Sequence, residues 1–278
     1  MTTHGEEVER WRAGRLAALT GPEGWLAIVG LTWLRDGSNS IGSARGSDIM
    51  LPRGPGRLGS IEVSDGAASF VPTDDADDTR TADGEPVTGP FPLVDDQSGP
   101  PTKLRLGSVA FHVIRRGDTL GVRVRDAEAP ARQAFRGIEI FPVDERWRLE
   151  ATFESGPPDR EVRVPTVLGV DEVYGAPGAV AFEVEGRTHR LEPYLEAGSA
   201  DWFFVFGDAT NGRETFGGGR YLYAPPPADG GRMVLDFNRA YNPPCVFVAH
   251  VTCPLPRPEN RLPIEVTAGE KLYRSNEG

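Results

Sequence analysis

Glycine and proline interrupt this chain so often that long helices are excluded. The sequence of 278 residues contains 34 glycines and 25 prolines. Inside a helix, glycine costs about 1 kcal/mol and proline about 3 kcal/mol relative to alanine, and both residues are typical of turns. We therefore expect mostly short strands joined by turns, with helix only where these two residues are sparse.

One such stretch lies near the N-terminus. Between Glu6 and Leu19, apolar side chains recur on one side of a helical wheel with 3.6 residues per turn. These side chains are Val8, Trp11, Leu16, Ala18 and Leu19. Gly21 and Pro22 follow at once, and this pair is a typical helix end. The sequence therefore predicts one N-terminal helix within residues 1–20.

Beyond the helix, apolar and polar residues mostly alternate with a period of two. This alternation is typical of strands that have one face in the core and the other in solvent. Residues 109–116 and 119–125 are predicted to pair as a hairpin, and so are residues 179–184 and 187–191. Residues 202–206 are apolar throughout, which predicts a strand that is buried on both faces.

These patterns indicate a fold that is mainly β, with antiparallel sheets in a sandwich-like or barrel-like arrangement and one N-terminal α-helix. We expect residues 21–278 to form a single β-rich domain, with a candidate subdivision near residues 155–160. A chain of this length is within the range of one large β domain.

Charge and composition limit the classes of partner. The formal net charge is −11 and the pI is near 5.0, whereas a protein that binds nucleic-acid phosphates needs a concentrated basic face. The first 15 residues lack the apolar core of a secretory signal. The longest apolar stretch, residues 24–34, has about half of the ~20 residues that a membrane span requires. We therefore expect a soluble, cytoplasmic protein with reduced thiols and with neither nucleic acid nor membrane as a partner.

The segment from Leu34 to Leu51 carries an Ile41-Gly42 step followed by a serine. It resembles the opening of a forkhead-associated domain, a β-sandwich whose loops bind phosphopeptides. In that family an arginine follows the glycine, whereas here the residue is Ser43, which cannot donate the paired hydrogen bonds that a guanidinium gives to phosphate. From the residues themselves we predict a strand–turn–strand unit with Gly37 and Gly42 at turn positions.

The densest set of polar motifs lies between Phe206 and Lys271. The motifs are Asp208-x-Thr210-x-Gly212-x-x-Thr215, Gly219-Arg220-Tyr221, Asp236-Phe237-Asn238-x-Ala240-Tyr241-Asn242-Pro243-x-Cys245, Cys253-Pro254-x-Pro256, Glu259-Asn260-x-Leu262 and Ala268-Gly269-Glu270-Lys271. Together they resemble a largely bacterial family known as domain of unknown function 1684. Residues 24–34 are similar to the opening of the same family, so that the resemblance spans nearly the whole chain. It implies no particular reaction, cofactor or catalytic residue.

Several of these residues are predicted to meet where a strand runs into an irregular segment. Asp236 and Asn238 would point the same way from a strand because they are two residues apart, and Pro243 forces an extended or turn backbone just after them. The side chains that would line a pocket there and bind a small polar or anionic molecule are Arg220, Asn238, Tyr241, Asn242 and Asn260. In an enzyme, Asp236 or Glu270 would transfer the proton, because a nearby arginine tunes a carboxylate.

The same residues have an alternative interpretation. Buried polar groups need partners, so the cluster would tie down a long loop as a structural lock. The protein would then be a non-catalytic interaction module that contacts a protein partner through a sheet edge or through residues 34–51. A hollow of several hundred cubic ångströms favours a ligand site, whereas a fully paired network favours the lock.

Cys245, His250 and Cys253 are weak candidates for a zinc site. Thiolate and imidazole suit zinc, but a closed site needs four ligands. If residues 246–251 form a strand, the cysteines are ~25 Å apart at ~3.3 Å per residue and share neither a metal nor a disulfide. A Cys245 nucleophile with His250 as its base is a further alternative. We favour free cysteines that act as small apolar residues over zinc.

Overall fold

Strands dominate the part of the chain that this computed structural model describes, residues 2–74 and 78–274. The helices are α1 (His4–Thr20) and α2 (Pro130–Ala134). The strands are β1 (Ile28–Trp33), β2 (Gly37–Gly42), β3 (Ile49–Met50), β4 (Gly59–Ser64), β5 (Ala67–Pro72), β6 (Arg80–Thr81), β7 (Phe91–Leu93), β8 (Leu104–Leu106), β9 (Val109–Arg116), β10 (Thr119–Asp126), β11 (Arg148–Ser155), β12 (Glu161–Pro165), β13 (Asp171–Gly175), β14 (Gly178–Val184), β15 (Arg187–Leu191), β16 (Trp202–Phe206), β17 (Arg220–Ala224) and β18 (Arg232–Asp236). The prediction of a mainly β fold with an N-terminal helix is confirmed.

The chain divides into two units by its internal contacts. The sandwich unit is Ala18–Phe135, and the C-terminal unit comprises the residues up to Ala17 together with those from Arg136 onward. The boundaries between these units fall at 17/18 and 135/136, and the sequence predicts a single β-rich domain over residues 21–278 with a candidate subdivision near 155–160.

The sandwich unit consists of two five-stranded sheets, with strand orders β1-β10-β9-β8-β6 and β3-β2-β4-β5-β7. Apolar side chains from both sheets share one core, in which the rings of Phe70 and Phe111 meet edge to face at 5.7 Å. Gly37 lies at a turn with φ +84° as expected. Gly42 instead ends β2, where a Cβ atom would lie 2.2 Å from the carbonyl oxygen of Gly56, so glycine is needed there for a close backbone approach.

The C-terminal unit contains the four-stranded sheet β15-β14-β11-β18 and the two hairpins β12–β13 and β16–β17. Its core surrounds Phe237. The centroid of the Phe237 ring is 6.0 Å from that of Trp147 and 5.3 Å from that of Phe206. Four of the five residues of β16 are buried, which confirms the prediction from its uninterrupted apolar sequence. After β18 the described residues form 3-10 turns and loops but no further strand.

Candidate functional site

Arg220 is completely buried and joins three segments of the C-terminal unit. Its Nη2 donates to Asp208 Oδ2 and to the carbonyl oxygen of Val266, both at 2.8 Å, and its Nη1 donates to the carbonyl oxygen of Ala268. Neither side chain of the Arg220–Asp208 ion pair has exposed surface. The guanidinium that we predicted to bind a ligand therefore holds the start of β17 against the loop before it and against the segment that follows residue 265.

Asp208 extends this network through its own loop. Its Oδ1 accepts hydrogen bonds from the backbone N–H and the hydroxyl of Thr210, at 2.8 and 2.5 Å. The hydroxyls of Thr210 and Thr215 are 2.7 Å apart. The motifs that begin at Asp208 and Gly219 thus form one buried structure.

The side chains of Asn238 and Asp236 also form hydrogen bonds with backbone groups. Asn238 donates through Nδ2 to the carbonyl oxygen of Asp144 and accepts through Oδ1 from the N–H of the same residue, both at 2.9 Å. Asp236 caps the 3-10 turn Phe237–Arg239 by accepting from the N–H of Asn238, and it is 2.8 Å from His4 Nε2. The two side chains meet because of this turn, and the prediction that both point from one continuous strand was wrong.

Asn260 is buried at a separate position in the same unit. Its Oδ1 accepts from the N–H of Glu192 at 2.8 Å, and its Nδ2 donates to the carbonyl oxygens of Glu192 and Val205 at 2.9 and 3.1 Å. Each of these partners is a backbone group, so Asn260 substitutes for a missing ladder of backbone hydrogen bonds. None of these hydrogen bonds joins Asn260 to Arg220 or Asn238.

Three of the predicted residues converge elsewhere, around Arg15 of α1. The guanidinium of Arg15 lies 4.6 Å above the ring of Tyr241, and its Nε is 3.5 Å from Glu270 Oε1. Asn242 lies beside them: its backbone N–H donates to Glu270 Oε2 at 2.7 Å, and its carbonyl oxygen accepts from Arg15 Nη2 at 3.2 Å.

Two residues that we did not predict extend this group toward the surface. The Tyr223 ring is stacked on Tyr241 with centroids 6.3 Å apart, and the Tyr223 hydroxyl donates to Glu196 Oε2. Tyr223 and Glu196 are half-buried, whereas Tyr241 and Glu270 are buried. We refer to the five residues Arg15, Glu196, Tyr223, Tyr241 and Glu270 as the Arg15 cluster.

Burial is the main cause of the shifted pKa values in this cluster. It raises the pKa of the Glu270 carboxyl, and the positive charge of Arg15 partly opposes this effect. Burial also raises the pKa values of the Tyr223 and Tyr241 hydroxyls, and the nearby carboxylates add to the effect. Both phenols therefore stay protonated at neutral pH and can donate hydrogen bonds, while Glu270 takes up a proton more readily than an exposed carboxylate.

The helix face that supplies Arg15 differs from the predicted one. Val8 is buried and Trp11 contacts Tyr241 with ring centroids 6.2 Å apart, as the apolar pattern suggested. Leu19 is buried as predicted, whereas Leu16 is 42% exposed and Ala18 is exposed as well. The spacing of His4, Val8, Trp11 and Arg15 is that of one helix face, and this spacing is the sequence signal that could have identified Arg15.

Cys245 and Cys253 are close together, whereas a strand over residues 246–251 would hold them ~25 Å apart. The segment after Pro243 forms a 3-10 turn, Pro244–Val246, and the chain then doubles back. The backbone N–H of Cys245 donates to Cys253 Sγ at 3.1 Å, and both cysteines are free. His250 is exposed. Within the described ranges, no group of three or more His, Cys, Asp or Glu side chains is arranged to hold a metal ion.

Two open grooves lie on the C-terminal unit, and none of the predicted site residues lines either of them. One, of about 700 Å³, runs over β11, β14 and β18, and the other, of about 630 Å³, lies beside Arg187 and Ile264.

In the sandwich unit, Ser43, which takes the place of the arginine in forkhead-associated domains, donates its hydroxyl to the carbonyl oxygen of Gly54 at 2.7 Å. Among residues 2–74 and 78–274, no helix is both long enough and apolar enough to span a lipid bilayer.

Comparisons with known proteins give a family but no activity. No curated protein matches the chain. The solution NMR structure of an uncharacterized protein from Haloarcula marismortui aligns with 53% of this chain and 81% of its own, at 32% identity and a TM-score of 0.44. An FHA domain studied for its phosphothreonine-dependent interactions aligns with 34% of this chain and 92% of its own, at 23% identity and a TM-score of 0.23. The profile of DUF1684, a family described as proteins of unknown function, matches residues 133–271, which is half of the chain, and the protein belongs to this family.

Proposed function

We propose that this protein binds a small polar molecule with an anionic group at the Arg15 cluster, and that Glu270 exchanges a proton with the bound molecule. The observation that carries this proposal is the position of the Arg15 guanidinium, between the Tyr241 ring at 4.6 Å and the Glu270 carboxylate at 3.5 Å. A permanent cation, two protonated phenols and a carboxyl group with a raised pKa are the kinds of polar group that fix a small ligand.

The charge around Glu270 favours an anion. The positive charges of Arg15, Arg220 and Arg12 each act to lower the pKa of Glu270. Arg220 is paired with Asp208 and Arg12 with Glu9, so Arg15 is the cation of this group that belongs to the cluster. An arginine side chain stays charged at all ordinary pH values, and its planar fork suits carboxylate and phosphate oxygens. A ligand with either group would interact with the Arg15 guanidinium, most strongly when Glu270 is protonated.

Burial varies across the cluster in a way that supports a small ligand. Tyr223 and Glu196 are half-buried and Glu270 is buried, so the polar groups extend inward from the surface. The side-chain oxygen of Asn242 is buried and accepts no hydrogen bond from the residues that the structure describes. A buried acceptor of this kind is costly unless it is paired, and a hydroxyl or amide of the ligand would pair it.

The first experiment measures anion binding by thermal stabilisation and NMR chemical-shift titration. The probes are phosphate, sulfate, acetate and succinate at constant ionic strength. A ligand at 100 times its Kd stabilises the folded state by about 2.7 kcal/mol. We expect at least one probe to give a saturable effect with wild-type protein and with the Arg10→Met variant, whose arginine is exposed on the same helix. The Arg15→Met variant should lose it.

The second experiment uses Glu270→Gln, which keeps the shape of the side chain and removes its titration. With wild-type protein, anion binding should weaken as the pH rises through the raised pKa of Glu270, because the carboxylate that forms repels the anion. The variant should bind with little dependence on pH over the same range. Equal anion binding by the wild-type and Arg15→Met proteins, or no saturable effect from any probe, would contradict the proposal.

A further inference from the structure

The two cysteines of this protein form a close pair with unequal exposure. The backbone N–H of Cys245 donates to Cys253 Sγ at 3.1 Å, although the residues are eight positions apart. Cys253 is only 2% exposed, whereas Cys245 is partly accessible. Cys245 is therefore the better exposed residue of the pair.

The backbone keeps Cys253 in a fixed position. Its carbonyl oxygen accepts from the N–H of Val167 at 2.9 Å, and the next residue but one, Leu255, donates to the carbonyl oxygen of Pro165 at 2.7 Å. Cys245 lies in the 3-10 turn Pro244–Val246, and its backbone N–H is directed at Cys253 Sγ. The two thiols are thus held side by side by segments with their own hydrogen bonds.

The contact between the thiols makes them chemically different. Interaction with the Cys253 thiol lowers the pKa of Cys245 and outweighs the opposite effect of burial. The same interaction together with burial raises the pKa of Cys253, and the N–H of Cys245 only partly opposes this rise. The thiolate is the form of cysteine that attacks a disulfide. The more exposed cysteine is therefore also the one that more readily forms the thiolate.

We propose that Cys245 and Cys253 are a redox-active dithiol that exchanges with small-molecule disulfides. The Cys245 thiolate attacks one sulfur of the small disulfide, the S–S bond breaks, and one small thiolate leaves and takes up a proton. Cys253 then loses its proton and attacks the Cys245 sulfur of the mixed disulfide, which releases the second small thiol. In total, the two cysteines lose two electrons and two protons, and one small disulfide is reduced to two thiols.

The test treats the folded, full-length protein with oxidised glutathione and follows its intact mass. Wild-type protein should lose the mass of two hydrogen atoms, retain no glutathione, and return to its starting mass with a reducing dithiol. The Cys253→Ser variant should accumulate one glutathione, attached to Cys245. The Cys245→Ser variant should react at least roughly tenfold more slowly, since its remaining thiol is buried with a raised pKa.

Circular dichroism melts of both variants show whether they keep the fold, and the wild-type mass change does not depend on them. Wild-type protein that stays reduced would overturn the proposal, as would a stable adduct on each cysteine. Equal reaction rates of two folded variants would overturn the assignment of Cys245 as the attacking thiol.

Discussion

Replacement of Arg220 by methionine distinguishes a structural network from a ligand site. Methionine keeps an unbranched side chain but removes the guanidinium, so the Asp208 carboxylate stays buried without its cation and the carbonyl oxygens of Val266 and Ala268 each lose a donor. Removal of one partner from a buried ion pair costs about 3–5 kcal/mol. At about 2–4 °C per kcal/mol for a protein of this size, the melting temperature should fall by roughly 6–20 °C.

The same substitution at Arg190 is the matched control. Arg190 pairs with Glu154 on the surface of the sheet, where the two side chains are 55% and 46% exposed, and such a pair contributes about 1 kcal/mol or less. Thermal and urea unfolding, followed by circular dichroism, measure both variants. If Arg220→Met unfolds within about 1 kcal/mol of wild-type protein, as we expect for Arg190→Met, the structural role that we assign to Arg220 is refuted.

Three further changes test the buried groups. Burial lowers the pKa of His112 from 6.5 to about 3, so between these pH values the unfolded chain binds a proton that the folded protein does not. The free energy of unfolding should therefore rise by at most about 5 kcal/mol from pH 3 to pH 6.5. In urea unfolding measured across this pH range, His112→Gln should remove this contribution to the pH dependence. Asn260→Ala should cost at least about 1–3 kcal/mol in urea unfolding, because it leaves buried backbone groups unpaired. Gly269→Ala should destabilise the protein by about 1–3 kcal/mol more than Gly66→Ala. Both glycines have φ between +73° and +80°, but a Cβ at Gly269 would lie 2.3 Å from the carbonyl oxygen of Ala240, whereas a Cβ at Gly66 would meet no atom within 4 Å. Equal melting temperatures of the two variants would contradict this prediction.

The hairpins were predictable because their determinants are local. Glu185 and Gly186 join β14 to β15 with φ of 51° and 72°, the pair of left-handed residues that a two-residue turn requires. The strands on either side then need only the alternation of period two to be in register. The turn and the pattern are both visible within fifteen consecutive residues, so no distant part of the chain decides the outcome.

The Arg15 cluster was only partly predictable because its parts are far apart in sequence. Tyr241 and Glu270 were identified within the polar motifs, but Arg15 lies more than two hundred residues before them. On the helix itself, an arginine is ordinarily assigned to the solvent face. The contacts of Arg15 and Trp11 with Tyr241, and that of His4 with Asp236, show that this helix face packs in the C-terminal unit.

The polar motifs after Phe206 are explained by the scarcity of regular backbone pairing in the C-terminal part of the chain. From Phe237 onward the described residues form no strand and pair with other segments through isolated bridges, such as that between Tyr221 and Tyr241, so the remaining buried backbone groups in this region need side-chain partners. Arg220 donates to carbonyl oxygens of this segment, those of Val266 and Ala268. Asn238 and Asn260 belong to the segment and join it to the backbone of Asp144, Glu192 and Val205. A dense set of buried polar residues in a segment without strands is therefore first a requirement of folding. Tyr241 and Glu270 differ because the neighbour that they share is a cation from a helix at the other end of the chain, and this makes them the stronger candidates for a ligand.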